Sequence, residues 1–106
     1  MSRPIISHRA QRDLRRIWRY VAEQSGHGRA DDLIDRILAV SGLFADQPQA
    51  GSSHSELGRA VRSCACGLYL VFYRPRAATI EIIRVIHGRR DVPSAWDEPD
   101  LAVRPR

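Results

Sequence analysis

An α+β domain is predicted for this chain, and three observations predict it. Apolar residues recur at helical spacing over the first half of the chain and alternate over the second. The change of period falls in a stretch rich in Gly, Ser and Pro, residues 47–58. The links between periodic segments are short, so neighbouring segments must run antiparallel. The expected order is β-α-α-β-β-β: an N-terminal strand, an antiparallel helical hairpin and a three-stranded antiparallel meander that buries one face on the hairpin. Residues 1–95 read as one domain and residues 96–106 as a C-terminal tail.

Each element has a local reason. Pro4 to Ser7 is a short apolar start, read as a strand, and Ser7 is placed to cap the helix that follows. Ala10, Leu14, Ile17, Trp18 and Val21 then share one helical face, with Arg12, Arg15, Arg16 and Arg19 on the other. Gly26 and Gly28 end that helix. A second helix is expected over 29–45, with Asp31 and Asp32 near its positive end and Pro48 beyond its close. Residues 59–64, 68–74 and 79–87 read as strands, linked at Gly67 and over 75–78. The last of these is apolar on both faces, which predicts a central place in the sheet. Ile80, Ile82, Ile83, Val85, Val71, Leu14, Ile17, Ile34 and Ile37 are the expected core.

The charge narrows the function. Seventeen basic residues against twelve acidic give a net +5, and all seventeen are Arg. A mechanism that needs lysine is therefore excluded. Guanidinium groups bind phosphate and carboxylate bidentately and stay charged at any relevant pH, so an acidic protein or a nucleic acid is the expected class of partner. No apolar run approaches the ~20 residues that span a bilayer, and no signal peptide is evident, so no membrane partner and a cytoplasmic location are expected. Cys64 and Cys66, spaced to share one strand face, suit neither an easy disulfide nor, without a second pair, a zinc site. They read as small, half-buried thiols, and no metal or other cofactor is expected.

Several stretches taken together resemble a known family. They are Ser7-His8-Arg9-Ala10-Gln11-Arg12-Asp13-Leu14 continuing to Ile17 and Tyr20; Leu43-Phe44-Ala45-Asp46 running into Pro48 and Gly51; Val61-Arg62-Ser63; Tyr69-Leu70-Val71-Phe72-Tyr73-Arg74; and Ile82-Ile83-Arg84-Val85-Ile86-His87-Gly88-Arg89-Arg90-Asp91. In order and spacing they resemble the ParE/RelE superfamily of type II toxin–antitoxin systems, on its ParE side. The resemblance covers about residues 4–96. It implies a bacterial toxin neutralised by a cognate acidic antitoxin. ParE-like members poison DNA gyrase, whereas RelE-like members cut mRNA on the ribosome.

The residues discriminate between those two activities. Cleavage by the RelE route needs an acid, a base and cations for the phosphorane charge. Here the lysines are absent, and Trp96 falls where the RelE pattern has its tyrosine. Indole cannot exchange a proton with substrate near neutral pH. A different catalytic set, Arg62, Arg84, His87 and Arg90, remains as the alternative. Gyrase inhibition without chemistry of the toxin's own is the leading expectation, with Arg84, His87, Arg89, Arg90 and Trp96 as target contacts. Arg62 and Arg84 have a structural alternative, internal pairing with Glu81 or Asp91. Leu14, Trp18 and Val21 are the candidate antitoxin groove, although Trp18 also reads as hairpin core. A non-toxic scaffold or a small RNA-binding module is the third reading.

Overall fold

Ser7 is where a strand becomes a helix. In the computed structural model, which describes residues 3–96, Ile5–Ile6 form β1, and α1 follows at once over His8–Ser25. The Ser7 backbone is extended, and its Oγ accepts from the Ala10 N–H at 3.1 Å. The same hydroxyl donates to the Ile83 carbonyl at 3.1 Å, so one side chain caps the helix and holds it to the sheet. Gly26, at φ 95°, closes α1 and opens α2 (His27–Asp46). That left-handed backbone suits glycine, and it shortens the predicted hairpin connection to a single residue. Near this tip, the Trp18 indole N–H donates to Asp31 Oδ1 at 2.8 Å, and its ring lies 5.1 Å from that of His27.

The stretch after α2 is more ordered than the expected loop. Pro48–Ala50 and Ser55–Leu57 each form a single 3-10 turn, and Ser52–Ser53 between them is a strand, β2. Two polar residues carry no alternation, so periodicity could not find it. β3 (Arg62–Cys66), β4 (Tyr69–Arg76) and β5 (Thr79–His87) make the predicted meander. The sheet order is β1-β5-β4-β3-β2, with β1 parallel to β5 and the other pairs antiparallel. β5 is interior, as its two apolar faces require. Pro75 continues β4 opposite Ile80 instead of turning, which leaves Ala77 and Ala78 as the turn, Ala78 at φ 78°. Between Phe72 and Tyr73 the register shifts: Tyr73 faces Ile82 and Phe72 faces Arg84, so Ile83 is the extra residue of a β-bulge.

Both faces of the sheet are covered. The helical hairpin buries Leu14 and Ile37 against Val71, Tyr73, Ile80, Ile82 and Val85. Cys64 and Cys66 lie in the same core as free thiols, more buried than expected, and burial pushes the Cys64 thiol up to about 11. Ile17, Ile34 and Ile83 are half-buried. The opposite face is Val61, Phe72 and Ile86, covered by Ala95 and Trp96 of a short helix, α3 (Val92–Trp96). Trp96 stacks edge-on against Phe72 with centroids 5.2 Å apart, which puts it in this second core and not in the tail. The rest of the expected tail, 97–106, lies outside the described residues.

The Tyr73 hydroxyl anchors the α2–β2 link to the sheet. It donates to the Pro48 carbonyl at 2.7 Å and accepts from the Gly51 N–H at 3.0 Å. Gly51 is there for space, since its backbone is ordinary extended chain: a Cβ would collide with the Tyr73 hydroxyl and sit 2.7 Å from the Ser63 carbonyl. Gly51→Ala is therefore expected to cost about 1–3 kcal/mol as an overpacking change. The shift in urea midpoint measures it, and an unchanged midpoint would show that the link yields freely.

Candidate functional site

The site starts from an edge that the sheet leaves open. β1 pairs only with Glu81 and Ile82, because the chain turns into α1 at Ser7. Above that point the edge of β5 needs other partners. Ser7 Oγ takes the Ile83 carbonyl, and Asp13 Oδ2 accepts from the Val85 N–H at 2.9 Å. Asp13 also receives Arg84 in a two-pronged pair, Nε to Oδ2 at 2.8 Å and Nη2 to Oδ1 at 3.1 Å. Arg84 Nη1 donates to the carbonyls of Ala95 at 2.9 Å and Trp96 at 3.1 Å, which draws the end of α3 onto the sheet. Both side chains are deep, with Arg84 4% and Asp13 7% exposed. A buried pair persists only when its remaining donors and acceptors are met, and here both carboxylate oxygens and the Nε and Nη1 donors of Arg84 are engaged.

This pair floors an open cleft of about 810 Å³ between the helical hairpin and the end of the sheet. One wall is helical: Ile17, Tyr20 and Val21 of α1 with Leu33 of α2. The other is the β3–β4 turn, Gly67 and Leu68, with Tyr69 and the exit of β5 at His87. Arg16, Arg36 and Arg90 stand on the rim. Tyr20 and Leu68 are 61% and 66% exposed, an unusual degree for side chains of this size flanking one groove. His87 meets Tyr69 edge-on at 5.2 Å. Its Nδ1 accepts from the Arg89 N–H at 3.1 Å, so the neutral ring carries its proton on Nε2. Burial, with Tyr20 nearby, pushes the Tyr69 phenol above its ordinary value, so it is a hydrogen-bonding group near neutral pH and not a base. The cleft is apolar inside and cationic at its edge, which suits an amphipathic acidic segment.

The profile of the family described as ParE toxin of type II toxin-antitoxin system, parDE, matches residues 5–92. Toxin ParE1 of Caulobacter vibrioides is 37% identical over 82 residues, 77% of this chain and 84% of that one. This chain belongs to the ParE toxin family. Toxin ParE1 of Mycobacterium tuberculosis is 29% identical over 92 residues, covering 86% of this toxin and 94% of the relative. A chain from the chromosomal ParDE toxin–antitoxin system of P. aeruginosa shares the fold, with a TM-score of 0.68 at 17% identity over 82% of this toxin and 96% of that chain.

Within this ParE fold the residues singled out from the sequence separate. His87 and Arg90 line the cleft, and Arg89 is exposed beside them. Arg84 lies beneath, engaged by Asp13 and not by Glu81 or Asp91. Glu81 pairs with Arg76, and Asp91 accepts from the Ser94 hydroxyl. Arg62 does not join this end of the sheet. It faces Tyr73, at the far end of β3 from Cys66, which faces Tyr69 and through it His87. There its guanidinium donates to the carbonyls of Gln49 at 3.2 Å and Gly51 at 2.7 Å. Leu14, Trp18 and Val21 do not form one groove: Leu14 is core, Trp18 is turned to Asp31 and His27, and Val21 alone lines the cleft. Tyr20, Leu68 and Tyr69 were not singled out as groove residues. Their signal was available, since Tyr20 interrupts the basic face of α1 and Leu68 follows a turn glycine.

A second polar cluster sits elsewhere in the toxin. His54 Nε2 lies 2.8 Å from Ser63 Oγ, and its Nδ1 lies 3.1 Å from Glu56 Oε2. The order imitates a nucleophile, base and acid. Ser63 is only 6% exposed on an interior strand, however, and the His54 ring packs edge-on against Phe72. The cluster pins the β2–β3 loop to the sheet.

Proposed function

We propose that this toxin inhibits DNA gyrase by stabilising its complex with cleaved DNA, performs no covalent step itself, and is held inactive in the cytoplasm by a cognate acidic antitoxin that lies in the cleft. One observation carries the reading: the cleft is apolar and cation-rimmed, and among its described lining residues His87 is the one imidazole. Of the alternative ribonuclease set, Arg84 is locked into a buried pair, and Arg62, level with Tyr73 and Ile82, is turned to the carbonyls of Gln49 and Gly51. Trp96, in the place of the expected tyrosine, packs under the sheet on Phe72. These placements favour a binding surface over a ribonuclease centre. They also leave His87, Arg89 and Arg90 as the target contacts, with Arg84 and Trp96 supporting them from below.

Expression of the toxin alone should produce DNA-damage signalling and filamentation. Arg89→Ala with Arg90→Ala should reduce that toxicity markedly and leave thermal unfolding almost unchanged, because exposed charges contribute only about 0–1 kcal/mol each. Loss of folding in the double variant would instead make the two arginines structural. Full toxicity in a folded variant would remove them from the contact surface.

A further inference from the structure

The outer face of α1 is strongly charged. His8, Arg9, Arg12, Arg15, Arg16 and Arg19 crowd twelve positions of one helix. The helix's acids are Asp13, committed to Arg84, and Glu23, a turn beyond the last of these cations. His8, Arg12, Arg15 and Arg19 are spaced four, three and four apart, so they form one ridge opposite the buried face of Ala10 and Leu14. Like charges at the spacings of Arg12, Arg15 and Arg19 oppose helix formation, and Arg9 also stands at the end where the helix dipole disfavours cations. His8, Arg15 and Arg19 are exposed.

We propose that the α1 ridge is a binding surface for the phosphate backbone of duplex DNA, separate from the antitoxin cleft. The ridge carries no aliphatic or aromatic side chain between its cations. A protein partner needs apolar anchors at the centre of its contact, and those lie in the cleft. A partner whose own surface is almost wholly anionic needs none. At 1.5 Å per residue the ridge is about 16 Å long, and one DNA strand presents a phosphate about every 3.4 Å of axis. Because the strand winds around that axis, the straight ridge meets about two or three successive phosphates before the backbone curves away. Guanidinium forks match phosphate oxygens, and such contacts position a protein on DNA without reading sequence. The inference rests on the gyrase reading for its setting, since gyrase would bring the toxin to DNA. It is tested without gyrase, so the two can fail separately.

The experiment is fluorescence anisotropy of a labelled mixed-sequence DNA duplex titrated with the purified full-length chain over a series of salt concentrations. Arg15→Gln with Arg19→Gln should flatten the dependence of log Kd on log salt by about two units, one for each lost phosphate contact. Arg15→Lys with Arg19→Lys should retain the wild-type slope. Arg29→Gln with Arg59→Gln removes the same charge from exposed positions on α2 and the β2–β3 loop, and should leave the slope unchanged. Circular dichroism confirms the fold of each variant. Equal losses in the ridge and control pairs, tighter binding to an RNA duplex than to DNA, displacement by polyglutamate as effective as by unlabelled DNA, or absence of binding at low salt would each overturn the proposal.

Discussion

Asp13→Ala is expected to cost about 3–5 kcal/mol of folding stability, the penalty for leaving a buried charge without its partner. That is a large fraction of the ~5–15 kcal/mol that holds a domain of this kind together. The change strands the Arg84 guanidinium and also leaves the Val85 N–H without its acceptor on the open edge of β5. Urea unfolding of the free toxin measures the loss. Asp13→Leu combined with Arg84→Met should recover part of it, because no charge is then buried. Recovery should stay incomplete, since the Val85 N–H and the carbonyls of Ala95 and Trp96 still lack their partners. A loss below about 1 kcal/mol for Asp13→Ala would place the pair among ordinary surface ion pairs and contradict its role as the floor of the cleft.

The second large effect is expected at the cleft wall. Tyr20→Ala with Val21→Asp should weaken binding of the antitoxin by about a hundredfold to a thousandfold, the range for removing an aromatic anchor and setting an anion in an apolar wall. Tyr20 is mostly exposed and Val21 half-buried, so the fold should survive. Calorimetric titration with the acidic antitoxin reads the affinity, and circular dichroism confirms the fold. Trp18→Ala is the internal comparison. Its indole is held by Asp31 on the hairpin and does not line the cleft, so antitoxin affinity should change little. Unchanged affinity in the Tyr20 and Val21 variant, or a large loss in the Trp18 variant, would move the antitoxin to another surface.

Most of the fold was legible because its signals are local. The helical spacing of Ala10, Leu14 and Ile17, the Ser7 cap and the two-sided apolar run of β5 are each set by near neighbours in the chain. β2 was not legible, since its two serines are ordered by pairing with Arg62 and Ser63 and by nothing in their own pattern. The site was harder for a related reason. Asp13 reads as one polar residue on a helix, and only the halting of β1 at Ile6, which leaves the Val85 N–H without a strand acceptor, gives it a function. Arg62 and Arg84 are alike in composition and separated by the bulge and the register, which periodicity does not report. Trp18 obeyed the apolar stripe and yet faces Asp31, because an indole has a donor that the stripe ignores. The resemblance carried by the helix and strand stretches was sound, and ParE family membership follows from the match over residues 5–92.

Whether this ParE-family toxin inhibits gyrase without enzymatic chemistry of its own is decided by a paired assay in vitro. Purified toxin is added to gyrase supercoiling reactions and, in parallel, to translating ribosomes carrying a defined message. Loss of supercoiling with accumulation of cleaved DNA–gyrase complex, reversal by the antitoxin, and an intact message are expected. Message cut within codons at the ribosome, with supercoiling unaffected, would contradict the gyrase reading and assign His87 and Arg90 to catalysis.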